Sequence, residues 1–192
     1  AGVSSFGAGG ANAHLIVSEG PPRGTGPATD GPALIVLSAR TADRLRAVAA
    51  RLAAWLAEAA PADLRLADVA FTLAVGREAL DERLALFAAD RADLHAQLAA
   101  FAAAGEVPAG NWRGRRREEP EAAPGPDAAP QRLAAAWVTG TEVDWAAHPL
   151  FAGGRRIPLP GYPFAGERYW APDRITRSGD VSPAPPPPVA SG

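Results

Sequence analysis

Side chains capable of chemistry are sparse in this sequence, and none falls into a reactive constellation. The serines are Ser4, Ser5, Ser18, Ser38, Ser178, Ser182 and Ser191. All read as turn or tail positions, whereas a serine nucleophile needs a positioned base and an oxyanion hole. His14, His95 and His148 lie far apart, without metal-ligand spacing, and none falls on an element expected to reach a serine. Asp81 and Glu82 are adjacent, so in an extended chain they point to opposite faces and cannot act as an acid–base pair. The absence of Cys removes disulfides, thiolate catalysis and Cys-based metal sites. Gly2, Gly7, Gly9 and Gly10 crowd a loop ahead of the apolar run Ala13–Val17. Their spacing fits neither the dinucleotide nor the P-loop pattern, and no helix pattern follows, so a hairpin is expected rather than a phosphate cradle. The remaining charged feature is Arg113, Arg115, Arg116 and Arg117, followed by Glu118, Glu119 and Glu121. It reads either as a docking patch for an acidic partner or as a solvated loop. Independent catalysis is not expected, and neither a cofactor nor a metal is implied.

The elements around these residues are organised about one stretch, IPLPGYPFAGERYW, Ile157–Trp170. Pro158, Pro160 and Pro163 forbid a helix and impose an extended path. Yet the stretch carries Ile157, Leu159, Tyr162, Phe164, Tyr169 and Trp170. A fully buried large side chain contributes roughly 1.5–3 kcal/mol, and true linkers are poor in aromatics. It is therefore read as a strap laid in a groove of a folded body, packed through Leu159, Pro160, Tyr162, Pro163, Phe164, Arg168, Tyr169 and Trp170.

The 192 residues suffice for one ordinary domain with tails. All 19 basic residues are Arg, and the net charge of −2 leaves no footprint for nucleic acid. No apolar run approaches a membrane span, and the N-terminus AGVSSFGAGG lacks the basic and apolar regions of a signal peptide. A soluble cytoplasmic protein is expected.

Along the chain, GPPRGTGPATDGP (20–32) reads as a connector and Ala33–Leu37 as a short buried strand. Ser38 or Thr41 caps a helix over 42–60, whose inward stripe is Leu45, Val48, Leu52, Trp55, Leu56 and Ala59. A second helix over 63–75 turns Leu66, Val69, Ala70 and Leu73 inward and ends at Gly76. Arg83–Ala88 is a second strand. Asp90 caps a third helix, Arg91–Ala104, ended by Gly105, and Asn111–Arg115 is a weak third strand. Residues 113–130 cannot form a core. A helix returns from Gln131 to Gly140, and the tail Ser178–Gly192 is a Pro-rich spacer. The expected fold is α/β: a small three-stranded sheet in the order β-α-α-β-α-β with helices on one face, then a returning helix and the extended strap. Three strands cannot bury both faces, so something else must shield the second.

Several of these stretches carry a resemblance. SSFGAGGANAHLIV resembles the C-terminal signature of ketosynthases of modular polyketide synthases. LADVAFTLAVGREALDERLALFA resembles the linker domain that follows those ketosynthases. LAAAWVTGTEVDW and LPGYPFAGERYW resemble the segments that follow the acyltransferase. The resemblance covers roughly 1–20, 33–115 and 131–171. It implies that the glycine loop with Phe6, Gly7, Gly9 and Gly10 is the remnant of a loop beside the ketosynthase active site. The catalytic Cys and His of that family lie in motifs outside this chain, and His14 belongs to neither. Gly161 and Gly166 depart from the family's bulkier residues and loosen the strap.

In the ordinary arrangement an acyltransferase with a GHSxG nucleophile motif sits between the third linker strand and the returning helix. Here that interval is only about Arg116–Pro130, and no GHSxG occurs. The resemblance therefore implies a trans-acyltransferase synthase, with a free-standing malonyl acyltransferase. The chain divides into a ketosynthase remnant (1–20), a connector (21–32), a flanking linker or docking subdomain (33–115), a disordered insertion-site remnant (116–130), returning helix and strap (131–171) and a Pro-rich linker (172–192). The implied role is a non-catalytic structural and docking module. Its implied partners are the parent ketosynthase, the free-standing acyltransferase and an acyl carrier protein. A purely architectural linker is the alternative.

Overall fold

The computed structural model describes residues 1–19, 31–125 and 128–166. Two antiparallel sheets are present among them. The first is a hairpin of β1 (Gly2–Phe6) and β2 (Asn12–Ile16), in register from Gly2 opposite Ile16 to Phe6 opposite Asn12. Its turn is closed by the Gly7 N–H donating to Ala11 O at 2.9 Å, with Gly10 at φ 87°. Both strands are exposed along their whole length, Phe6 to 80% and Ile16 to 76%. The expected hairpin is present, but Ser4 and Ser5 stand in a strand rather than a turn. Ser4 lies directly opposite His14, its Oγ 2.8 Å from Nδ1. The sequence reading missed that pair because cross-strand register, not proximity in sequence, brings the two together.

The second sheet has the order β3-β4-β5, from β3 (Ala33–Ala39), β4 (Glu82–Ala88) and β5 (Trp112–Arg115). Ser38 is thus also a strand residue, accepting from the Leu80 N–H and donating to Glu78 O. Residues directly paired share a face. Ile35 and Leu37 lie opposite Leu86 and Leu84, and Leu84 opposite Arg113. That face is covered by α1 (Ala42–Glu58) and α3 (Arg91–Ala104), Arg113 lying over the Phe101 ring of α3. The other face carries Leu34, Val36, Arg83, Ala85 and Gly114, and the returning helix α4 (Pro130–Val138) shields it. Gly114 is needed there: a Cβ would stand 2.6 Å from Val138 O. This α4 layer is the shield that a three-stranded sheet requires. α2 (Leu66–Val75) packs mainly on β3.

Helix ends follow local chemistry. Thr41 caps α1 by accepting from the Arg44 N–H, and Asp90 caps α3 by accepting from the Asp93 N–H. Gly105 ends α3 at φ 74°, the left-handed conformation expected of a terminating glycine. Gly76 ends α2 differently, at φ −99°, and is required because a Cβ would lie 2.5 Å from Thr72 O. α1 stops at Glu58, which leaves Ala59 exposed and outside the core stripe. α2 begins at Leu66 rather than 63. After α4, Trp145 packs edge-on against both Trp137 and Phe151, the last within a short 3-10 turn, Pro149–Phe151.

Candidate functional site

The described part of the strap, 157–166, is extended and lies on the body. It enters on α2. Asp68, only 2% exposed, accepts from the Arg155 N–H at 2.9 Å and pairs with the Arg155 guanidinium at 3.1 Å. Thr72 Oγ1 accepts from the Ile157 N–H at 3.0 Å and donates to Asp68 O. Gly154 passes so close to Phe71 that a Cβ would come within 2.5 Å of it. Further on, Arg77 donates to the carbonyls of Leu159 and Pro160, and Arg44 to that of Pro163. The Tyr162 hydroxyl accepts from the Arg40 N–H. Ile157, Leu159 and Tyr162 pack on the core, whereas Phe164 is 83% exposed and meets the Tyr162 ring edge-on. Of the expected strap residues, Arg168, Tyr169 and Trp170 lie outside the described residues. Asp68 and Thr72 were missed because α2 reads as an apolar stripe; a buried Asp four residues before a Thr was the available signal.

Between the strap, α1, α2 and α4 runs a cleft of about 950 Å³. Its walls include Val36, Leu73, Trp137, Trp145 and Tyr162, and six arginines and two glutamates line it. Arg83, 2% exposed, sits at its inner end. Its guanidinium donates to Leu80 O at 2.9 Å, Trp137 O at 2.7 Å and Thr141 O at 3.5 Å, and lies 5.0 Å from the Trp137 ring centre. Burial pushes the Arg83 pKa below its usual range and neighbouring Arg116 pushes the same way, with Asp81 and Glu142 opposing. Sequence reading placed Arg83 at a strand start and did not foresee its burial.

The four arginines of the candidate docking patch are not equivalent. Arg113 and Arg115, two apart on β5, straddle Glu82 at 3.9 and 3.7 Å. Arg116 and Arg117 leave the strand with their backbones pinned, the Arg116 N–H to Asp81 O and the Arg117 N–H to Thr139 O. The passage onward is tied as well, Thr141 Oγ1 donating to Glu121 O. Phe6, Gly7, Gly9 and Gly10 stand at the tip of the hairpin, with Phe6 exposed. Ser4 and His14 are likewise exposed, and no carboxylate accompanies the pair within the hydrogen bonds among the described residues. No described helix is long and apolar enough to cross a membrane.

Comparison with known proteins agrees with this architecture. Residues 36–105 match the family model described as RhiE-like, KS-MAT linker domain. Polyketide synthase ThaG of Burkholderia thailandensis is 45% identical over 195 residues, covering 90% of this chain and 3% of the relative. Polyketide synthase PksM of Bacillus subtilis is 40% identical, covering 88% and 4%. Among solved structures, the oxazolomycin ketosynthase domain OzmH KS7 of Streptomyces albus is 41% identical with a TM-score of 0.67, covering 89% of this chain and 28% of that one. Ketosynthase twelve of the bacillaene synthase of Bacillus amyloliquefaciens is 39% identical with a TM-score of 0.61, covering 88% and 28%. The chain thus spans a few hundredths of the curated relatives and under a third of these ketosynthase structures. Residues 36–105 are thus similar to the KS-MAT linker domain, and most of the chain is similar to segments of polyketide synthases and to part of their ketosynthase structures.

Proposed function

We propose that this chain is a non-catalytic module that stiffens the flank of its parent ketosynthase and positions it toward a trans-acting malonyl acyltransferase and carrier domains. Its mechanism is to raise effective concentration between tethered partners, not to perform chemistry. The observation that carries this reading is the closed passage from β5 to α4. Where an acyltransferase would be inserted, the chain runs only from Arg116 to Ala129, and its first residues are stitched to Asp81 and Thr139. A site closed in this way calls for malonyl transfer by a separate protein. The same reading divides the chain into a ketosynthase end (1–20), a linker body (33–115) and a returning helix with strap (131–171), working in the cytoplasm. The hairpin fits this role, because its exposed apolar residues suit the edge of a larger sheet.

The test is titration of the matching free-standing acyltransferase into the 192-residue chain at low and physiological salt. Saturable binding that weakens with salt supports docking through the patch of Arg113, Arg115, Arg116 and Arg117. Absence of binding up to high micromolar concentration overturns docking and leaves the architectural linker. That second reading has its own support: Glu82 already faces Arg113 and Arg115, and the strap spends its contacts within the chain.

A further inference from the structure

The cleft beside the strap is larger and more charged than packing requires. Its volume of about 950 Å³ falls in the range of small-molecule sites, roughly 300–1,000 Å³. Although the whole chain carries a net charge of −2, six arginines gather here against Glu78 and Glu142. Arg77 and Arg44 are occupied by strap carbonyls. Arg83 and Arg116 make no ion pair among the described residues, although Asp81 and Glu142 act on Arg83 from longer range. Among the described residues neither has a carboxylate within 4.0 Å, and Arg83 uses only Nε and one Nη, on backbone carbonyls. Arg83 is nonetheless almost fully buried, with the like charge of Arg116 beside it. A buried cation whose carboxylates act only from longer range, beside a second cation, is a costly arrangement that an anion between them relieves.

We infer that this cleft binds a small amphipathic anion: an apolar chain along Val36, Leu73 and Trp145, ending in a carboxylate or phosphate held between Arg83 and Arg116. The Arg83 guanidinium, 5.0 Å from the Trp137 ring centre and bonded through Nε and one Nη, has its other Nη left to meet such a head group. With the strap as one wall, the space admits a slender ligand and not the flat face of a folded partner. The site is set apart from Arg113 and Arg115, since Arg83 lies on the α4 side of the sheet, but it shares Arg116 with the candidate docking patch.

Calorimetric titration of the 192-residue chain with octanoate, octyl phosphate, octanol and inorganic phosphate tests this. At least one octyl anion should bind with Kd below about 1 mM, with octanol and inorganic phosphate about tenfold weaker or more. The preferred anion then identifies the head group as carboxylate or phosphate. Arg116→Gln, whose side chain makes no hydrogen bond or ion pair among the described residues, should weaken that anion at least about fivefold without lowering the unfolding midpoint. Arg115→Gln, next in sequence but outside the cleft, should change it less than about twofold. Octanol binding as tightly as the anions would assign the affinity to exposed apolar surface such as the hairpin and overturn the proposal. So would equal effects of the two substitutions, or no binding.

Discussion

The hairpin β1–β2 and the ladder β3–β4 are both antiparallel and both rich in apolar residues. In β3–β4, Leu34, Ile35, Val36 and Leu37 and their partners Leu84 and Leu86 are each at most 3% exposed, because helices cover both faces. In the hairpin every strand residue is exposed, including Val3, Phe6, Leu15 and Ile16. Strand pairing alone buries no side chains. A ladder becomes a core only when other layers reach it, and a lone two-stranded hairpin is marginal in water. The hairpin therefore has no covering layer among the described residues, whereas the ladder has one on each face.

The largest expected effect tests that difference directly. Phe101 of α3 is fully buried against the sheet, so Phe101→Ala should cost about 3–5 kcal/mol in urea denaturation. Phe6→Ala, at a ring 80% exposed, should fall within about 0.5 kcal/mol of the parent. A cost above about 1 kcal/mol at Phe6 would mean that the hairpin already packs on something in this chain. In a longer chain with its ketosynthase, the same substitution should become core-like.

The same contrast explains what could be read in the sequence. ALIVL and RLALFA announce buried strands, and Thr41, Asp90 and Gly105 mark helix ends, because these signals act within a few residues. The resemblance and the three-stranded order likewise followed from contiguous motifs. The polar anchors did not. Asp68 meets Arg155 only because the chain returns 87 positions later, and Arg83 reaches Trp137 O across 54. Asn111 is another case. Its side chain accepts from the Phe87 N–H and donates to Gln97, which in turn donates to Phe87 O. This network ties α3 and β4 to the start of β5, yet Asn111 and Gln97 each read alone as an ordinary surface amide. Periodicity reports which face is apolar, but not which polar group a distant segment will satisfy.

The strap stands between the two extremes, since part of its groove is in this chain. Gly154→Ala would drive a methyl into Phe71 and should cost about 1–3 kcal/mol by overpacking. Asp68→Ala strands the Arg155 N–H and guanidinium. It should cost about 1–3 kcal/mol, the ordinary penalty for leaving buried donors unpaired. Hydrogen exchange at Ile157, whose N–H donates to Thr72 Oγ1, should accelerate in both variants while the β4 amides stay protected. If β4 exchange accelerates equally, the strap is an integral part of the core and the threefold contrast of hairpin, strap and body collapses to two.

The smallest effect probes the body's own local order by pH. The Asp93 carboxylate accepts from the Ala89 N–H at 2.8 Å just ahead of α3. That bond, helped by Gln97, holds its pKa below the ordinary value of 3.8, against a small opposing effect of burial. A carboxyl with a lowered folded-state pKa binds its proton more weakly folded than unfolded. Its contribution is therefore fully present above the unfolded pKa and declines as pH falls through 3.8 toward the lower folded value. Asp93→Asn should flatten the acid limb of the stability curve in that window and leave its shape near neutrality unchanged, as urea midpoints from pH 2 to 7 would reveal. A limb as steep in the variant as in the parent would show that acid sensitivity arises elsewhere than at the start of α3, and that this local bond does not set the body's response to acid.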